Sequence, residues 1–131
     1  MQKIMDVTFP GNKRVDVSWG EMTVNTDQLK RFGGDETSPQ PFDLFFASLA
    51  SCAGISALAY CTARDLPTEG LAVRLIATRP DGQRRYTRVR IEVTPPVGFP
   101  EARVQELLAE AGDCTVKRHV LDPPAFETVR V

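Results

Sequence analysis

The sequence predicts a soluble α+β fold. Three observations carry that reading. Apolar residues alternate with period 2 near the amino end, residues 44–63 form a helical stretch without one charge, and a second alternating pair precedes short helical patterns.

The first strand covers residues 4–9 and runs into the turn Pro10-Gly11-Asn12. Val15, Val17 and Trp19 then alternate with Asp16 and Ser18, the pattern of a half-buried strand. Gly20 breaks the pattern; Met22 and Val24 resume it. Residues 27–40 are polar, contain Gly33-Gly34 and end in Ser38-Pro39-Gln40-Pro41, a loop leading to a helix start. Asp43 lies in the first turn, where a carboxylate complements the helix dipole. The spacing predicts a helix over residues 41–64, stopped before Pro67.

Residues 71–75 and 86–93 read as a hairpin about Pro80-Asp81-Gly82, ended by Pro95-Pro96. Pro100 opens a helix with Val104, Leu107, Leu108 and Ala111 on one face and Gly112 at its end. A short helix over residues 114–121 stops at Pro123-Pro124, and residues 126–131 read as a last strand.

At 131 residues the chain is read as one domain, residues 1–131, able to bury roughly two thirds of its unfolded surface without disulfides or metal. Net charge is −1, from 16 basic and 17 acidic residues, which favours neither nucleic acid nor an anionic membrane as partner. The amino-terminal MQKIMDVTF lacks the basic-then-apolar layout of a signal peptide, so a cytoplasmic location is expected. In that reducing compartment the three cysteines are core thiols, redox thiols or metal ligands.

The uncharged run is long enough to span a bilayer. It nevertheless carries Ser48, Ser51, Ser56, Thr62, Gly54 and two cysteines, with strands on both sides, and reads as a helix buried on nearly all sides. A sheet covers one face. So small a domain has little left for the other, and a second copy of the chain is expected there.

Successive helical residues turn by about 100°, so Cys61, nine positions after Cys52, points to the opposite face. Cys52 needs a partner from elsewhere, and Cys114 is the one left. Cys114 follows Asp113 at a helix start, where backbone N–H groups favour a thiolate; Cys52 sits mid-helix and would need a cation aimed at it. From composition alone, small core hydrophobes remain the commoner role for all three. A zinc site from Cys52, Cys61, Cys114 and His119 has the ligand count but poor geometry, and no metal or other cofactor is expected.

The stretch Thr37-Ser38-Pro39-Gln40-Pro41-Phe42-Asp43-Leu44-Phe45-Phe46-Ala47-Ser48-Leu49-Ala50-Ser51-Cys52 resembles the signature of the OsmC/Ohr family. There a proline, any residue, an acid and a leucine lead into a helix ending Ala-Ser-Cys. Cys114-Thr115-Val116-Lys117-Arg118-His119-Val120-Leu121 resembles the second signature, usually Cys-Pro-Val, then a basic residue and Leu. The resemblance implies an intertwined homodimer, with curved antiparallel sheets wrapped around long central helices and active sites at the interface. It also implies a thiol peroxidase. Cys52 would attack an organic hydroperoxide, Cys114 would resolve the sulfenic acid as a disulfide, and a dithiol reductant, such as a lipoylated protein, would reopen it. Arg14 is the positional candidate for the activating arginine, with Arg31 and Lys13 near it in sequence.

Two departures stand out. Phe42 occupies the position where well-studied members carry an arginine-holding glutamate, and Asp43, one residue later, reads as a helix-start residue or an arginine clamp. Thr115 replaces the usual proline, a change expected to be without consequence. Phe42, Phe45 and Phe46 could line an apolar substrate pocket or serve as core or dimer contacts. His119 reads as solvated, and Arg84, Arg85, Arg88 and Arg90 as the outer face of a strand. Two rival functions share the scaffold: a non-catalytic protein binding a small apolar ligand, suggested by Phe42, and a redox sensor without a dedicated substrate.

Overall fold

A computed structural model describes all residues, 1–131, and divides them into two compact units, Met1–Phe45 and Phe46–Val131.

In the first unit β1 (Asp6–Gly11), β2 (Arg14–Trp19) and β3 (Met22–Thr26) form an antiparallel sheet in that order. β1 pairs Val7 with Val17, and β2 pairs Val17 with Val24, so the valines of all three strands share one face. The register slips between Thr8 and Gly11, a bulge on an edge strand that also carries Pro10. The β2–β3 turn pairs Trp19 with Met22 and needs Gly20 at φ 54°. β1 begins two residues later than the apolar pattern indicated, because Ile4 and Met5 have no ladder partner.

The loop after β3 is built around one buried carboxylate. Asp27 is fully inaccessible, and it accepts hydrogen bonds from the N–H of Gln28 (2.7 Å), Asp35 (3.3 Å) and Thr37 (3.0 Å) and from the Thr37 hydroxyl (2.7 Å). The Thr37 donors, with Gln28 and Asp35 behind them, hold its pKa at about 2. The loop closes so tightly that a Cβ on Gly34 would lie 2.0 Å from the Gln28 carbonyl oxygen.

α1 (Pro41–Thr62) starts with Pro41 in its first position and with the Asp43 carboxylate accepting from the Gln40 N–H at 3.0 Å, half of a capping box. It ends two residues earlier than expected, where Leu66 N–H returns to the Cys61 carbonyl at 2.9 Å.

In the second unit the buried positions of α1 are Leu49, Ala53, Ala57, Tyr60 and Cys61, one stripe at helical spacing. Ala57, Tyr60 and Cys61 pack with Leu107 and Ala111 of α2 (Val104–Gly112). Leu66, Leu71, Phe99, Val73 of β4 (Ala72–Thr78) and Val93 of β5 (Arg88–Thr94) close that core. The Tyr60 hydroxyl donates to the Glu106 carboxylate and ties the two helices together. The β4–β5 hairpin pairs Val73 with Val93 and Leu75 with Ile91, each strand shifted a few residues toward the carboxyl end from its expected bounds. Arg88 and Arg90 are exposed, and Arg90 pairs with Glu92 at 3.1 Å. α3 (Thr115–Leu121) follows.

One expectation is corrected. Residues 126–131 form no strand, because no neighbouring strand of this chain supplies a ladder, and Phe126 is left 89% exposed. Within one chain α1 is covered on one face only, as expected for a helix whose other face is assigned to a second copy. Its stripe is covered, while Ile55 is 60% exposed and Leu58 39%. α1 is long and apolar enough by composition to cross a membrane, yet its stripe is occupied by protein contacts.

Candidate functional site: a cysteine pair at the start of α3

Cys52 and Cys114 meet within the second unit. Helix phase puts Cys52 on one flank of the buried stripe of α1 and Cys61 on the other, with Ala53 and Ala57 between them. The chain turns after α2 so that Cys114 becomes the N-cap of α3, in extended conformation (φ −97°, ψ 154°). Its Sγ accepts from the Lys117 N–H at 3.4 Å, and Arg118 N–H closes the first turn on the Cys114 carbonyl at 3.0 Å. Asp113 and Arg118 brace the turn through a two-point ion pair, Nε to Oδ1 at 2.8 Å and Nη2 to Oδ2 at 2.6 Å. Cys114 is buried, Cys52 partly buried, and both thiols are free.

The Cys52 thiol is shifted below its ordinary value. The largest cause is the Val116 backbone N–H; the Cys114 thiol and the Thr115 N–H act in the same direction, against partial burial. Cys61, fully buried in the core, is pushed up by desolvation, which the Arg64 charge offsets only in part. The two thiols of α1 are therefore shifted in opposite directions, Cys52 down and Cys61 up.

The remaining sequence candidates have plain local roles. Arg14 opens β2 in the first unit, where its Nε reaches the Gly11 carbonyl at 3.4 Å. Asp43 caps the start of α1 and makes no ion pair with an arginine. Phe42 stacks on Phe45, with centroids 5.5 Å apart, and Phe42 is 55% exposed. Phe46 meets Tyr86 edge-on at 4.8 Å in the second unit. His119 is exposed, its Nδ1 2.7 Å from the Thr115 carbonyl, and no group of three or more His, Cys, Asp or Glu is placed to hold a metal. Side-chain reasoning missed the largest contributor, the backbone N–H of Val116, and the smaller one from Thr115. The available signal was that a cysteine capping a helix brings the next two N–H groups with it.

A family model described as OsmC-like protein matches residues 33–129, about three quarters of the chain. The chain belongs to the OsmC-like family. Two solved structures share its fold. An osmotic stress induced and detoxification response protein from Psychrobacter arcticus 273-4 superposes with a TM-score of 0.74 at 21% identity, over 90% of this chain and 87% of the other. An organic hydroperoxide resistance protein, OsmC, from Legionella pneumophila gives a TM-score of 0.59 at 15% identity, over 92% of this chain and 89% of the other. No curated protein sequence matches the chain. Cys52 and Cys114 both lie within the residues that the family model matches.

Proposed function

We propose that this OsmC-like protein is a cytoplasmic thiol peroxidase that reduces organic hydroperoxides, and hydrogen peroxide more weakly, through Cys52 and Cys114. The observation that carries the reading is a thiol with a lowered pKa beside a second free thiol at a helix cap. The Cys52 thiolate attacks the terminal oxygen of ROOH, the O–O bond breaks, and ROH leaves with one proton. Cys52 is oxidised to a sulfenic acid. The Cys114 sulfur then attacks the Cys52 sulfur, expelling water and forming the disulfide. A protein dithiol, of the lipoylated type, restores both thiols by exchange and becomes a disulfide itself. The hydroperoxide resistance named for the Legionella neighbour is in keeping with this chemistry.

A homodimer belongs to the proposal. Its support is the uncovered flank of α1 at Ile55 and Leu58, beside a shallow apolar groove of about 320 Å³ lined by Gly54, Leu58, Thr68, Leu71 and Val73.

The test mixes reduced protein with an organic hydroperoxide, follows thiol loss and maps disulfides by mass spectrometry. A rapid Cys52–Cys114 bond that fails to form in Cys52→Ser is the expected result. Slow, unselective oxidation of all three thiols overturns the reading and favours the ligand-binding one, for which the exposed Phe42–Phe45 stack is the motivating feature.

A further inference from the structure

We infer that the outer face and tip of the β4–β5 hairpin form a docking surface for an acidic protein, the one that carries the dithiol to Cys52 and Cys114. The inference deepens the proposed function and rests on it for the dithiol.

A chain total of −1 conceals an uneven distribution of charge. Residues 72–94 hold six arginines, no lysine and two acids, Asp81 and Glu92, a net charge of +4 that leaves −5 on the rest. The hairpin register sorts these charges. Val73 pairs with Val93 and both pack on the core, so the pleat turns the alternate positions outward: Arg74 opposite Glu92, Ile76 opposite Arg90 and Thr78 opposite Arg88. Arg74, Arg88 and Arg90 are exposed there, and Arg79, Arg84 and Arg85 are exposed in the connection beyond. Among the six only Arg90 has an ion pair, with Glu92 at 3.1 Å.

The connection is held in place. Gln83 N–H donates to the Pro80 carbonyl at 3.1 Å, and Thr87 N–H to the Thr78 carbonyl at 3.0 Å. The Arg79 guanidinium lies over the Tyr86 ring at 5.4 Å, and Tyr86 meets Phe46 of α1 edge-on at 4.8 Å. Phe46 precedes Cys52 by six residues, about 9 Å along the helix. The tip is therefore fixed on the stretch of α1 that leads to the thiol.

Guanidinium groups grip carboxylates through two parallel hydrogen bonds, the advantage of arginine over lysine. Arg88 and Arg90 stand roughly 7 Å apart along β5, the repeat of alternate side chains in an extended peptide. The −5 on the remainder repels a polyanion that runs past the hairpin, as a nucleic acid or a membrane does. A compact acidic patch on a protein meets the arginines alone.

Binding is read on reduced protein by fluorescence anisotropy. The probes are a labelled peptide with glutamates flanking a Ser-Gly-Pro-Ser core and a twin with glutamine for every glutamate. Near physiological salt the acidic peptide binds more tightly than its twin, and Arg84→Gln/Arg85→Gln/Arg88→Gln weakens it roughly tenfold or more. A control variant, Lys3→Gln/Lys30→Gln/Arg130→Gln, removes as much charge from exposed positions elsewhere and leaves binding in place. Equal binding of the two peptides, or equal losses in the two variants, overturns the inference. So does tighter binding of a single-stranded oligonucleotide or of phosphatidylglycerol vesicles, which assigns the face to another class of partner. In a second measurement the acidic peptide carries cysteines in place of its serines and reopens the Cys52–Cys114 disulfide of oxidised protein. Its two thiols become a disulfide, and Cys52 and Cys114 return to thiols. The hairpin variant slows this step by a similar factor and leaves reduction by dithiothreitol unchanged; equal slowing with dithiothreitol overturns the inference. A chain that never forms the disulfide removes the peroxidase reading and leaves the binding result to decide what the hairpin does.

Discussion

Cys52 and Cys61 sit nine residues apart on one helix and have opposite fates. Cys61 faces Leu107 and Ala111, is completely enclosed, and meets no donor for a negative sulfur; desolvation keeps it a thiol. Cys52 meets the start of α3, where backbone N–H groups have no helical partners, and these favour its thiolate. Nothing in the local sequence around either cysteine sets this difference. It comes from helix phase and from what the rest of the chain brings to each flank.

The largest expected effect separates the two directly. Cys52→Ser should lower hydroperoxide turnover on the order of 10³-fold or more, the usual cost of removing a nucleophile. Cys61→Ser should leave turnover in place and instead lower stability by about 1–3 kcal/mol, since a hydroxyl replaces a thiol in an apolar site. Stopped-flow peroxide consumption and urea unfolding check the pair. Comparable turnover losses in both variants would mean that the contrast between the flanks is not functional.

Leu107→Ala attacks the enclosure of Cys61. Leu107 is fully buried in the same cluster, and its truncation should cost about 2–5 kcal/mol. The cavity should also speed Cys61 alkylation while Cys52 alkylation stays unchanged, which peptide mapping under limiting reagent reads out. Equal acceleration at both thiols would show a global opening and not a local one.

Much of this was legible in the sequence. The period-2 runs located β1 to β5, and the uncharged stretch located α1 to within two residues at its end. The 180° phase between Cys52 and Cys61 follows from counting residues. The N–H groups at the start of α3 were legible as a help to Cys114, but their action on Cys52 was not. Thr115 and Val116 contribute N–H atoms that every residue but proline carries, so no letter announces them. Asp27 was missed for a related reason: in sequence it is one polar residue of a polar loop, and only the folded loop converges three N–H groups on it. The strand expected at 126–131 failed because alternation specifies a strand's faces but not its partner.

Asp27 repeats the Cys52 device in the first unit, an anion held mainly by backbone N–H groups, and sharpens the comparison through pH. Its folded pKa, about 2, lies below the ordinary 3.8. A depressed carboxyl stabilises the fold above the unfolded value and loses that contribution as pH falls toward the folded one. Acid unfolding of this loop should therefore set in below about pH 4 and be complete near pH 2. Asp27→Asn should abolish that window and lower the melting temperature at neutral pH by roughly several degrees. Hydrogen exchange at Asp35 and Thr37 amides checks both, and an unchanged acid profile in Asp27→Asn would show that the cage adds no linkage.

The smallest expected effect is at the alkaline end, where the two thiols pull against each other. The Cys52 pKa is lowered in the fold from 9.0, so the unfolded chain binds the more protons just below that value and stability rises with pH there. The Cys61 pKa is raised from 9.0 by burial, and that of Tyr60 from 10.0, chiefly by its hydrogen bond to Glu106; both groups stay protonated in the fold after the unfolded chain has released them. Their contribution is complete below the unfolded values and is lost as pH climbs past about 9. Urea midpoints measured against pH should thus rise and then fall. Cys52→Ala should remove the rising limb and Cys61→Ala should blunt the falling one, with the remainder of the fall assigned to Tyr60. If both alanine variants changed the same limb, the two flanks of α1 would be electrostatically equivalent.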